Sequence, residues 1–523
     1  MKKPIIYQML PRLWGNMNTN NTFNGSLEEN GTGKFNNINK ESLDYLKWMG
    51  CSHVWYTGVI RHSTKADSHP QFIKGNAGSP YAIKDYFDVN PYLAENEGKR
   101  MQEFEALIKR THKAGLKVII DFVPNHVARD YGKTVRRSKA AYVLGTSDDK
   151  NVHWSPDNDF FYYPGERLRL PNDAEYGDQA FYEYPAKATG NTFTPSPSEN
   201  DWYETVKINY CNFHTSTWDK MAEIIRFWAS KGVDGFRCDM VELVPSEFFQ
   251  WLIPTMKQEF PDLIFIAEVY VKDLYRKYIE EVGFDYLYDK SGLYDSLRSI
   301  VEHQNSARAI TSNWQFLGDL QPRMLNFLEN HDEQRFASDF FGKDAYRSFA
   351  ALYVSLFLNT SAFMLYFGEE VGEKGMDHEG FSGRDGRTTI FDWWSVKSLR
   401  DLYASIQKGK YTKSTDKVFK KYTKAMQLAA SSKAVQEGST YDLCWCNNES
   451  NGFNPDKHFA FLRHTEGETL LFVANFSYEP ATIHINIPSH VFEHLGINDD
   501  KALKEGKTVK VQIDGFDGLS MQL

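Results

Sequence analysis

Four stretches place ionisable residues behind short apolar runs: Asp121-Phe122-Val123-Pro124-Asn125-His126, Gly235-Phe236-Arg237-Cys238-Asp239, Ile266-Ala267-Glu268-Val269 and Phe327-Leu328-Glu329-Asn330-His331-Asp332. Acids at the ends of apolar strands cost free energy unless they are paired or put to use. Carboxylates at Asp121, Asp239, Glu268 and Asp332, with Arg237 and two histidines, suit the hydrolysis of a glycosidic acetal. That reaction needs one ionised carboxylate to attack the anomeric carbon and a second that carries a proton for the leaving oxygen. Arg237 precedes Asp239 by two residues, so in a strand both face the same side, and the cation favours Asp239 as the ionised nucleophile. Glu268 has Ile266, Ala267 and Val269 as sequence neighbours. A partly desolvated, like-charge setting would raise its pKa and suit the general acid/base.

These groups meet only if the runs that carry them lie side by side. Candidate strands are Ile5–Met9, Ser52–Thr57, Lys117–Phe122, Asp234–Asp239, Leu263–Glu268, Phe284–Tyr288, Met324–Leu328 and Ala362–Phe367. Between them, Phe104, Leu107, Ile108 and Thr111, then Met221, Ile224, Ile225 and Trp228, then Phe248, Leu252 and Met256 follow helical spacing. Gly115, Gly232 and Gly283 stand where helices end ahead of strands. Eight strand-helix alternations predict an α/β fold, a (β/α)8 TIM barrel whose catalytic side chains gather at the C-terminal ends of its strands. Residues 127–204, rich in Asp, Asn, Tyr, Pro and Ser, break the rhythm after the third strand and read as an inserted domain B. The barrel then comprises residues 1–126 and 205–435. Alternating runs at His458–Leu462, Thr469–Asn475 and Thr482–Ile487 predict a C-terminal antiparallel β-sandwich over 436–523.

The chain has 523 residues, with 60 Lys plus Arg against 69 Asp plus Glu, a formal net charge of −9. Mild acidity argues against nucleic acid or an anionic membrane as the main partner. The uncharged stretch 348–368 is broken by Asn359, Thr360 and Ser361, so it reads as a buried helix and strand and not as a membrane span. Five scattered cysteines form no disulfide framework, and the start of the chain does not read as a signal peptide; both lead to the expectation of a cytoplasmic protein. Three motifs are weaker. His490-Val491-Phe492-Glu493-His494 fits an inverted zinc-protease pattern without an obvious third ligand. Cys444-Trp445-Cys446 is a lone CxC pair, and Gly506-Lys507-Thr508 lacks the upstream glycine of a phosphate loop.

In order and strand position, the four clusters resemble the signature regions of the α-amylase family of glycoside hydrolases, and the resemblance covers essentially the whole chain. It implies Asp239 as nucleophile, Glu268 as acid/base and Asp332 as the third acid that holds and distorts the sugar. It implies that Arg237 pairs with the nucleophile, Asp121 supports Arg237, His126 and His331 bind the sugar's hydroxyls, and Tyr81 lies under its ring. The implied activity is a retaining hydrolysis of α-1,4-linked glucans or malto-oligosaccharides, with the two catalytic carboxyls roughly 5 to 5.5 Å apart. A glucanotransferase using the same site, and a non-catalytic glucan-binding protein, are the alternatives. No cofactor is required. Calcium is a weak expectation: Asn125 matches a family ligand, but Lys207 stands where calcium-binding members carry an Asp, and an ammonium could replace the metal's charge. Glu242 and Leu243 replace the Lys and His of many α-amylases. The segment before Tyr81 lacks the Asp of exo-acting α-glucosidases, which leans toward an open cleft and internal cleavage. Residues 377–394, with Gly383-Arg384-Asp385-Gly386-Arg387, would add contacts at the rim, and Trp393-Trp394 reads as core.

Overall fold

The computed structural model describes every residue except 1, 212, 381, 382, 498 and 499. Eight parallel strands close into a barrel: β1 (Ile5–Met9), β2 (His53–Tyr56), β3 (Lys117–Phe122), β4 (Gly235–Cys238), β5 (Ile264–Ala267), β6 (Tyr286–Tyr288), β7 (Met324–Phe327) and β8 (Ala362–Tyr366). Neighbours in the barrel are neighbours in sequence, and Ile5 opposite Phe363 joins the first strand to the last. Each is an expected strand, trimmed by no more than two residues at either end. Asp239 and Glu268 fall just past β4 and β5, yet their N–H groups still donate to Phe122 O (2.9 Å) and Cys238 O (3.2 Å). The ladder therefore fixes their backbones while their side chains turn to the rim.

The helices form where the apolar spacing places them. Arg100–Lys113 buries Met101, Phe104, Leu107, Ile108 and Thr111, and Ser216–Ser230 buries Met221, Ile224, Ile225 and Trp228. Gly115 and Gly232 adopt φ of 75° and 99°, a left-handed turn that needs glycine between helix and strand. The uncharged stretch resolves into helix Phe349–Phe357 followed by β8, both buried. Among the described residues no helix is long and apolar enough to cross a membrane.

Between β3 and β4 the chain is mostly loop. It leaves and returns through a ribbon that pairs His126–Ala128 with Thr205–Lys207. A small apolar cluster of Phe72, Ile73, Leu168, Leu170 and Ala186 ties this excursion to the loop after β2. Beyond the barrel, antiparallel strands Ser439–Asp442, His458–Thr465, Glu468–Asn475 and Gly518–Gln522 form one sheet, and Ala481–Ile487 with Lys507–Ile513 form a ribbon. Leu462, Leu471, Val473, Ile483, Ile485 and Val511 fill the space between them. Phe472, on the sheet, stacks on Phe357 of the barrel at 4.5 Å. The ribbon's connection contains helices Ser489–Leu495 and Asp500–Glu505, which strand alternation did not anticipate. His490 and His494 lie exposed on the first of them, beside Trp445 and Tyr441. Among the described residues no group of three or more His, Cys, Asp or Glu could hold a metal.

Candidate active site

Arg237 organises the site from inside the barrel, where it is 1% exposed. Its Nη1 donates to Asp239 Oδ1, and its Nη2 stands 2.9 Å from Glu268 Oε2 as an ion pair without hydrogen-bond alignment. Asp121 Oδ1 and Asp332 Oδ2 lie 3.9 and 4.0 Å from the same guanidinium. The Trp55, Tyr81 and Tyr288 rings surround it at 5.4–5.6 Å, and Tyr288 OH accepts from Nε at 3.3 Å. Strands β3, β4, β5 and β7 thus bring all four sequence-predicted acids around one cation.

Four carboxyls against one guanidinium leave the cluster short of positive charge. Burial raises the Asp239 carboxyl well above its usual range; Arg237 opposes this and Glu268 adds to it. Burial and Glu268 push Asp332 up to about 7, against Arg237 and Arg387. Burial brings Asp121 to about 6 despite Arg237 and donors from Trp55 and Tyr81. Arg237 pairs with Asp239 as expected, and desolvation and Glu268 oppose it there. Crowding four carboxyls on one cation favours a proton shared within the cluster; a retaining hydrolysis needs Asp239 ionised against Arg237 Nη1 and the proton on the second acid.

Glu268 is 3% exposed and faces the like charges of Asp239 and Asp332, the desolvated setting expected of it, and its carboxylate is also hydrogen-bonded. Oε1 accepts from Tyr270 OH at 2.6 Å, and Oε2 accepts from the Met240 N–H at 2.8 Å. Met240 holds φ 45°, ψ 45°, a left-handed backbone costing roughly 1–2 kcal/mol that turns its N–H toward Glu268. Glu242 accepts the N–H groups of Tyr270 (2.9 Å) and Val271 (3.0 Å), pinning the loop after β5. A backbone N–H only donates, whereas a phenol donates or accepts. The Met240 N–H can donate to Oε2 in either protonation state of Glu268, and of the two partners Tyr270 alone can accept from the protonated acid.

Of the sugar-binding residues implied by the resemblance, Tyr81 and His126 line a cavity of about 230 Å³ together with Asp239, Glu268 and Asp332, and His331 is not among its lining residues. Tyr81 stacks on His331 with centroids 5.3 Å apart and donates to Asp121 Oδ1 at 3.3 Å. His331 is neutral, since burial and Arg237 both lower its pKa well below the ordinary value. Gln8 Nε2 lies 2.8 Å from Nδ1, so with the amide so placed the ring proton sits on Nε2, which faces Tyr81 OH and Asp332 Oδ2. His126 is lowered to about 3 by burial, with Lys207 and Lys74 adding. Gln8, Tyr270, Met240, Lys74, Trp202, Glu204 and Phe391 were missed by the sequence reading. A larger cavity, about 480 Å³ between helix Arg308–Leu317 and the C-terminal sheet, contains Asp442 but no cluster of acids.

The calcium position carries a different cation. Lys207 Nζ donates to Asn125 Oδ1 and to Leu243 O (3.1 Å), while Asn125 Nδ2 donates to Gly190 O at 2.9 Å. Burial lowers the Lys207 pKa to about 8. Calcium takes six to eight oxygens, and here the ammonium already uses the side-chain and carbonyl acceptors. The residues present do not fit the metal. In the stretch after β8, Trp393 and Trp394 are buried, and Arg387 bears electrostatically on Asp332; residues 381 and 382 of that stretch lie outside the described set.

Barrel-strand acids paired through one buried arginine, in a cavity with an aromatic floor, define a barrel-type glycoside hydrolase. The model of the alpha-amylase catalytic domain matches residues 8–466, and the chain belongs to the α-amylase family. It is 23% identical to Alpha-amylase 3 of Dictyoglomus thermophilum over 76% of this chain and 73% of that protein. It is 24% identical to trehalose-6-phosphate hydrolase of Bacillus subtilis over 91% of this chain and 89% of that protein. Among solved structures, the Gamma-CGTASE of alkalophilic Bacillus clarkii aligns at TM-score 0.67 with 17% identity, covering all of this chain and 70% of that one. That likeness concerns the fold.

Proposed function

We propose that this glycosidase is retaining and acts on α-1,4-linked glucans or malto-oligosaccharides, with Asp239 as nucleophile and Glu268 as acid/base. The observation that carries the reading is the sharing of Arg237 by these two carboxylates at one cavity. Asp239 Oδ attacks the anomeric carbon as the glycosidic C–O bond breaks, and the Glu268 proton passes to the leaving oxygen. Water then gives a proton to Glu268 and its hydroxyl to the anomeric carbon, releasing Asp239. Asp332, beside His331 Nε2, and His126 hold the sugar's hydroxyls, and Tyr81 supports the ring. The relatives' names bear on the class of bond, because an alpha-amylase and a trehalose-6-phosphate hydrolase both cleave α-glucosides.

A product time course tests it. Maltotriose and starch should be consumed, the first product should appear as the α-anomer, and sucrose should persist. A β-anomer as first product contradicts retention; products longer than the starting oligosaccharide place the chemistry with a glucanotransferase.

Calcium has no part in this proposal, because the Lys207 ammonium ties the inserted segment to the loop after β4 in the metal's stead. A chelator should leave rate and melting temperature unchanged, whereas Lys207→Ala should lower stability by about 1–3 kcal/mol through the acceptors it orphans. A chelator that inactivates the native enzyme contradicts the assignment.

A further inference from the structure

The cavity has two ends of different chemistry. Glu268, Tyr270 and Met240 make the end where the leaving oxygen is protonated. His126, with its ring 5.3 Å from Trp202, makes the other, which receives the sugar that stays on the enzyme. At that end the walls are joined. Lys74, from the loop after β2, forms an ion pair at 2.8 Å with Glu204, from the end of the inserted segment. Both residues line the cavity.

The bridge is anchored on each side. Ala77 N donates to Phe391 O at 2.8 Å and Asn76 N to Asp392 Oδ1 at 3.2 Å, fixing the Lys74 loop to the loop after β8. A Cβ on Gly75 would stand 2.2 Å from Phe391 O, so the two loops touch backbone to backbone. Glu204 O accepts from the Arg129 N–H at 3.1 Å, and its side chain is 6% exposed. Glu204 Oε1 takes Lys74; Oε2 is buried and has no hydrogen-bond donor among the described residues. A buried carboxylate oxygen without a donor is an acceptor left unmet, which a ligand hydroxyl would satisfy. The cavity that Lys74 and Glu204 both line measures about 230 Å³.

We infer that the Lys74–Glu204 pair closes the glycone end of the site and that Glu204 Oε2 accepts a free hydroxyl of a chain-terminal glucosyl unit, making the enzyme exo-acting from the non-reducing end. An internal glucose unit continues through its O4 and meets the bridge; a terminal one ends there with a hydroxyl to donate. This reverses the sequence-based leaning toward an open cleft: the missing upstream Asp does not leave the end open, because a different pair shuts it. The inference rests on the α-glucan reading above.

The test compares maltoheptaose with maltoheptaose capped by an acetal across the 4- and 6-hydroxyls of its non-reducing end. Native enzyme should turn over the free substrate at least 100-fold faster, and calorimetry with inactive Asp239→Asn protein should show the capped one binding at least tenfold more weakly. Glu204→Gln should lower kcat/KM on free maltoheptaose about tenfold, and Lys74→Ala should raise turnover of the capped substrate. Comparable turnover of both substrates by native enzyme, or equal binding of both, overturns the inference and leaves the glycosidase assignment standing. Turnover of neither refutes the α-glucan reading, and this inference with it.

Discussion

Asp239→Asn is expected to lower kcat by about four orders of magnitude, about 5.5 kcal/mol of transition-state stabilisation, with the fold intact. The amide has the shape of the carboxylate but cannot form the ester to the anomeric carbon. Arg237 keeps Glu268 at 2.9 Å, so it is not left as an uncompensated buried charge. The checks are steady-state kinetics on maltotriose and a near-ultraviolet circular dichroism spectrum that overlays the native one. A rate within tenfold of native would remove Asp239 from the chemistry.

Glu268→Gln separates the two steps. On a natural glucan the leaving oxygen needs a proton, and its loss should cost about 10²–10⁴ in rate. On α-glucosyl fluoride the leaving fluoride needs little help, so the first step should proceed at near-native rate while the second, lacking its base, should fall behind. Pre-steady-state kinetics should then show a burst of fluoride followed by slow turnover. Equal losses on both substrates would make Glu268 a structural acid. Tyr270 belongs to the same argument, because its hydroxyl is the partner of Glu268 that can follow the proton in either direction.

The barrel was legible because each strand is a short apolar run and each flanking helix repeats its apolar residues at helical spacing. Reading the acids at strand ends then located Asp121, Asp239, Glu268 and Asp332, since the fold itself sends those positions to one rim. Contacts made by long loops were not legible. Nothing local in Lys74 or Glu204 says that the loop after β2 meets the end of the inserted segment, and Glu242 reaches the N–H groups of Tyr270 and Val271 across two strands. What opposes Arg237 at Asp239 was hidden for a related reason. An arginine two residues away is visible in sequence, but desolvation and the approach of Glu268 and Asp332 are tertiary facts. Helix Ser489–Leu495 had its signals, Pro488 before it and Gly496 at φ 68° after it, which the alternating pattern of the preceding strand overshadowed.

The central claim is that a carboxylate on β4 becomes covalently bound to the sugar while a carboxylate on β5 manages the proton. Intact-protein and peptide mass spectrometry of Glu268→Gln protein mixed with α-glucosyl fluoride tests it most directly. The account predicts one added glucosyl unit, located on the peptide containing Asp239 and lost when that residue is also replaced. A glucosyl unit on Asp332 or another residue, or no adduct alongside a β-configured first product, would contradict it.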